Sequence, residues 1–142
     1  MINWKDIAER DIKDYRYQKS SIASLERKIK DLNESMTALK GSATDKTPVS
    51  GGGSKYEDNL INCIVIKERL KFNLQVVKKS VAMIERGLES IPKAKRQVLE
   101  HFYVGGYKKI MSEYNVEKSE AYRMRNDALR EFCIAMYGIT EL

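Results

Sequence analysis

The chain is poor in metal-binding residues: of 142 residues only Cys63 and Cys133 are cysteine, and only His101 is histidine. A structural zinc centre takes about four Cys or His ligands, so one chain cannot build one, and neither metal nor cofactor is expected. Two cysteines this far apart read as buried free thiols of a cytoplasmic protein. Proline occurs twice, as Pro48 and Pro92, so nothing obliges a helix to stop within residues 1–40. No run approaches the ~20 apolar residues of a membrane span. The opening "MINWKDIAERDIKDYRYQKS" is charged throughout and lacks the apolar stretch of a signal peptide. No membrane association and a cytoplasmic location are therefore expected.

What is present is hydrophobic material in helical order. Hydrophobic residues make up 42% of the chain, enough for a real core, and 26 Lys and Arg against 20 Asp and Glu leave a net charge of +6. A basic balance of that size favours a polyanionic partner, but the excess is spread along the chain and does not mark a face. Tyr15, Ile22, Ile29 and Met36 recur every seven residues, and Gln18, Leu25, Leu32 and Leu39 form a second series offset by three. That is a heptad seam, and it predicts a helix over about residues 3–40. A second seam runs through Leu60, Lys67, Leu74, Val81 and Leu88, with Cys63, Leu70, Val77, Ile84 and Ile91 as its other row, predicting a helix over about 56–91. Ile61, Ile64, Val65, Ile66, Val76 and Met83 widen that apolar face, so the second helix is expected to pack against more than one neighbour. The seams can pair within one chain or between chains, leaving monomer and homodimer both open.

Between them lies "GSATDKTPVSGGGSK", Gly41 to Lys55. Gly41 suits a helix C-terminus, Pro48 cannot continue a helix, and three consecutive glycines are costly in any regular element, so a Gly-rich linker is expected over 41–55. It is not a P-loop. That pattern ends in Gly-Lys-Ser/Thr, and here Asp45 precedes Lys46-Thr47.

Residues 92–132 have a different grain. Pro92 fits a first helical turn, and Val98, Leu99, Phe102 and Tyr103 give the following helix an apolar face that ends at Gly105-Gly106. Tyr107, Ile110, Met111 and Tyr114 supply a second short helix, and Asn115 tolerates the left-handed conformation of a tight turn. Ala121, Met124, Ala128, Leu129 and Phe132 are spaced for one face of a third helix. A short helix, a turn and a longer helix make a helix-turn-helix. The expected fold is all-α: a long helical, coiled-coil hairpin over 1–91 followed by a three-helix helix-turn-helix module over 92–142.

With that face turned inward, Lys118, Ser119, Tyr122, Arg123 and Asn126 fall on the outer side of the last helix, mostly near its N-terminal end, where a recognition helix touches base edges. The residue types suit the task. Arg123 can donate two hydrogen bonds to guanine, Asn126 can pair with adenine, Lys118 can meet a phosphate or guanine, and Tyr122 can donate to phosphate or pack on a thymine methyl. Lys93, Lys95, Arg96, Lys108 and Lys109 are the candidate phosphate anchors. No catalytic set is expected: Glu113 and Glu117 lie among Lys and Tyr residues, and His101 has no sequence-evident partner.

The order of residues adds a resemblance. "LESIPKAKRQVLEHFYVGGYKKIMSEYNVEKSEAYRMRNDALREF" resembles region four, the C-terminal promoter-binding region of bacterial sigma factors. The motifs that carry it are Ile91-Pro92, Arg96-Gln97-Val98-Leu99, Gly105-Gly106, Ile110-Met111-Ser112-Glu113 and Ala128-Leu129-Arg130. The resemblance implies base contacts at Lys118, Ser119, Tyr122 and Arg123. Glu117 departs from it, standing where that family has a capping Ser or Thr, and nothing upstream resembles the aromatic region that melts promoter DNA. With "ALKGSATDKTPVSGGGSKYEDNLINCIVIKERL" ahead of such a module, the chain resembles the ArpU/RinA-like late-gene transcription activators encoded by prophages of Gram-positive bacteria. That implies double-stranded DNA and host RNA polymerase as partners, in the cytoplasm of a bacterial host cell. Two other readings fit the same sequence: a phage DNA-packaging component of the small terminase type, and a coiled-coil adaptor whose helix-turn-helix is vestigial.

Overall fold

The computed structural model describes residues 2–45 and 52–138, which form four α-helices with no strand among them: α1 Trp4–Asp45, α2 Gly52–Glu89, α3 Lys93–Tyr114 and α4 Lys118–Tyr137. The all-α expectation holds. The linker expectation over 41–55 does not hold at its ends, because α1 runs on through Asp45 and α2 already starts at Gly52. A glycine in a helix costs about 1 kcal/mol relative to alanine, which continued backbone hydrogen bonding can offset, so Gly41 does not end α1. The rest of the expected linker, residues 46–51 with Pro48, lies outside the described residues. So do residues 139–142 of the expected C-terminal module.

The chain divides into two compact units, and the divisions fall inside the two long helices. One unit comprises residues 18–79. Its α1 and α2 segments carry their seams as expected: Ile22, Leu25, Ile29, Leu32, Met36 and Leu39 of α1 are half-buried, as are Leu60, Cys63, Lys67, Leu70, Leu74 and Val77 of α2. The segments run in opposite directions. Lys78 Nζ lies 3.2 Å from Glu26 Oε1, while Ser35, Ala38 and Leu39 line a shallow groove with Asn59, Asn62 and Cys63. Among the described residues nothing covers the wider α2 face, and Ile61, Ile64, Val65, Ile66, Val76 and Met83 are all exposed. Cys63 is half-buried rather than buried.

The other unit joins residues 1–17 to residues 80–142 and holds the core. Ala8 and Ile12 of α1, Ile84 and Leu88 of α2, Val98, Leu99 and Ile110 of α3, and Ala121, Ala128, Leu129, Phe132 and Cys133 of α4 are buried in one cluster. All but Cys133 and the two α1 residues sit on apolar rows visible in the sequence. Gly87 permits the close packing of α2 on α4: a Cβ there would overlap the Met136 side chain and come within 3.1 Å of Phe132 Cε2. After Glu89 the chain turns through bonds from Ser90 N–H to the carbonyls of Arg86 and Gly87, and Pro92, with φ −56° and ψ 145°, stands just before α3. α3 is kinked where a break is expected, at Gly106, whose φ of 69° and ψ of −166° only glycine adopts without strain.

Candidate nucleic-acid interface

The connection into α4 is local chemistry. Asn115 ends α3 in the left-handed conformation, φ 52° and ψ 53°, and its N–H returns to the Met111 carbonyl. Asparagine enters that region more readily than other residues with a Cβ, as the sequence suggested. Glu117 is extended and its carbonyl accepts the first helical bond of α4, from Ala121 N–H at 2.9 Å, but its side chain caps nothing. The missing Ser or Thr is therefore a missing cap. From there Ala121, Ala128, Leu129 and Phe132 face the core and leave the opposite side of α4 to solvent.

On that side Ser119, Arg123 and Asn126 are exposed, and Lys118, the first residue of the helix, is exposed at its N-terminal end. Among the described residues Lys118, Arg123 and Asn126 each make a local contact. Lys118 Nζ sits 4.7 Å from the centre of the Tyr107 ring, a cation–π distance. Arg123 is held between two carboxylates of its own helix: Nε donates to Glu120 Oε2 at 2.8 Å, Nη2 donates to Glu120 Oε1, and Nη1 donates to Asp127 Oδ2 at 2.9 Å. The guanidinium hydrogen bonds pull the Glu120 carboxyl below its usual pKa. Asn126 Oδ1 accepts from Arg125 Nε at 2.8 Å.

Tyr122 corrects the expectation that it lies free on the outer face. It is half-buried, stacked on Tyr107 with ring centres 5.6 Å apart and edge-on to Phe102 at 5.8 Å. Its position lies at the border of the apolar face, and two aromatic rings from α3 are close enough to draw it in. Sequence reasoning also missed Arg125. Its guanidinium lies 4.5 Å from the Phe102 ring centre and 5.5 Å from that of Tyr122, and Nη1 donates to Glu9 of α1. The available signal was a charged residue one turn after Ala121, on the edge of a row otherwise apolar.

The candidate phosphate anchors separate into distinct groups. Lys93 and Lys108 are exposed and form no ion pair among the described residues. Lys109 is exposed but pairs with Glu113 at 3.0 Å, an interaction that holds the Glu113 carboxyl below its usual pKa. Lys95 is half-buried. Arg96 is half-buried with Nε donating to the Leu88 carbonyl at 3.1 Å, so it caps the end of α2 instead of standing free for a phosphate. His101 packs edge-on against Tyr114, ring centres 6.0 Å apart.

No three His, Cys, Asp or Glu side chains converge among the described residues, and no helix among them is long and apolar enough to cross a membrane. Comparison with protein-family models, with curated proteins and with solved structures finds no match.

Proposed function

We propose that the chain is a sequence-specific DNA-binding transcriptional regulator of phage or prophage genes, a late-gene activator working with host RNA polymerase in the bacterial cytoplasm. In this reading α1 and α2 form a helical hairpin, and α3 and α4 form a helix-turn-helix module. The second half of α3 leads in, Asn115 to Glu117 make the turn, and α4 is the recognition helix. The observation that carries the proposal is the first three turns of α4. Ser119, Arg123 and Asn126 are exposed there on the side opposite a fully buried face and Lys118 is exposed at the helix's N-terminal end, an arrangement that can enter a major groove without disturbing the core.

Lys118 and Arg123 carry the charge that meets bases or phosphates, Lys93 and Lys108 anchor the backbone, and Tyr122 supports the helix through its ring packing. For Arg123 to make a bidentate contact with guanine, it must exchange at least one carboxylate partner for O6 and N7 of the base. That exchange favours a fully formed base contact over loose phosphate attraction.

The test is selection of bound duplexes from a random DNA library, with the wild-type chain and with a Lys118→Ala/Arg123→Ala variant, at two salt concentrations. A sequence motif enriched by wild type and lost in the variant supports the reading. Binding that tracks salt alone, with no enrichment, removes it.

A further inference from the structure

α2 carries a second stripe that no other described residue of its own chain covers. Asp58, Ile61, Val65, Phe72, Val76 and Lys79 follow one another at spacings of three, four and seven, and all are exposed. With 3.6 residues per turn, they lie on the side of the helix opposite the half-buried row of Leu60, Cys63, Leu70, Leu74 and Val77. Ile61, Val65, Phe72 and Val76 leave 56%, 44%, 66% and 50% of their surface open. Single exposed apolar residues are ordinary, but four aligned along one side of a helix form a contact surface.

The charges on the stripe select its occupant. Asp58 stands at one end, Lys79 at the other, and Glu68 and Arg69 side by side in the middle. Neither Asp58 nor Lys79 has an ion-pair partner among the described residues, and Glu68 makes only a long contact, 3.8 Å, with Lys71. Turned end for end, the stripe complements itself. About a twofold axis between Glu68 and Arg69, Asp58 comes level with Lys79, Ile61 with Val76, and Val65 with Phe72. Parallel pairing instead sets Asp58 against Asp58 and Lys79 against Lys79.

We propose that α2 is the dimerisation element of this protein, pairing antiparallel with α2 of a second copy about an axis between Glu68 and Arg69. Such an interface is isologous: each contact occurs twice, so one good pair of side chains counts double. The proposal does not depend on the DNA-binding reading, and its test contains no DNA.

The full chain is followed by size-exclusion chromatography with light scattering over a dilution series. The expected result is a dimer of twice 16.4 kDa that dissociates on dilution. Phe72→Glu gives a monomer with an unchanged helical circular-dichroism spectrum, because Phe72 is exposed and not part of the fold's core. Asp58→Lys alone and Lys79→Asp alone each weaken the dimer by about tenfold, since each puts like charges together at both ends. The double variant Asp58→Lys/Lys79→Asp regains dimerisation because the two residues exchange roles across the axis. A wild-type monomer at about 100 µM, a ring of several subunits, or a double variant no stronger than the singles overturns the proposal.

Discussion

Arg125 of α4 donates through Nη1 to Glu9 Oε1 of α1 at 2.8 Å, a bond between residues 116 positions apart whose side chains are only 13% and 22% exposed. A charge pair this sheltered is costly to break on one side, because the remaining charge loses its partner without regaining water. Glu9→Ala is expected to lower stability by about 1–3 kcal/mol and Glu9→Gln by less, read from urea unfolding. A Glu9→Ala loss below about 0.5 kcal/mol, the range of ordinary surface changes, removes this bond as a structural tie.

The same joint predicts how the C-terminal helices behave alone. Ala8 and Ile12 of α1 share one core with α3 and α4. A fragment of residues 92–142 therefore exposes a face that α1 and α2 cover in the full chain. Its expected state is partly helical without a cooperative melt, checked by circular dichroism on heating. A sharp transition near that of the full chain would show that α3 and α4 stabilise themselves.

Gly87 offers a test in which two effects oppose. Replacing glycine by alanine in a helix gains about 1 kcal/mol of propensity, whereas overfilling a packed contact costs about 1–3 kcal/mol. Since the new Cβ meets both Met136 and the Phe132 ring, packing should win. Gly87→Ala is expected to destabilise by about 1 kcal/mol, and pairing it with Met136→Ala should recover part of the loss, because the Met136 side chain is then no longer in the way.

Alkaline pH should unfold the unit holding Tyr103 and Tyr137. Burial raises both phenols well above their ordinary pKa, and for Tyr137 the bond its hydroxyl donates to Asp11 Oδ2 at 2.6 Å adds to the effect. The unfolded chain releases these protons near pH 10 while the folded chain keeps them, so stability is intact below that pH and falls as pH rises above it. Cys133, whose thiol burial also pushes up, acts in the same direction from a lower starting point. Tyr137→Phe should flatten the decline in urea midpoint above pH 10 while lowering stability at pH 7. Tyr103→Phe should flatten it at little cost, because its buried hydroxyl has no hydrogen bond of good geometry. Equal losses for the two variants at pH 7 would contradict that contrast.

If α4 reads DNA, the carboxylates around Arg123 restrain it. Glu120→Gln/Asp127→Asn frees the guanidinium and removes two negative charges from the surface facing phosphate. Affinity for all duplexes should rise and the preference for one sequence should fall, measured by titration at fixed salt. Weaker binding by this variant would mean that the carboxylates position Arg123 for its contact.

Much of the fold is legible because helical periodicity is local. The seam rows of both long helices, the inward row Ala121, Ala128, Leu129 and Phe132, the break at Gly106 and the left-handed turn at Asn115 each follow from residues a few positions apart. The ends of the long helices were less legible. Gly41 reads as a stop, yet its cost is small enough for α1 to continue past it. At the candidate site, exposure of Ser119, Arg123 and Asn126 follows from helix phase and that of Lys118 from its place at the start of α4, but the engagement of Tyr122, Arg96 and Arg125 depends on groups from α1, α2 and α3.

By itself the sequence determined that the chain is helical, where its apolar rows run and which side of α4 is polar, since these depend on chain geometry over a turn or two. Only the tertiary structure decided that residues 1–17 and 80–91 complete the core beneath α3 and α4, that Arg96 caps α2 and Arg125 is tied to Glu9, and that the outer stripe of α2 stays open. An apolar row announces that it will be covered. What covers it is set by shape and packing between segments that are distant in the chain, and no local pattern carries that information.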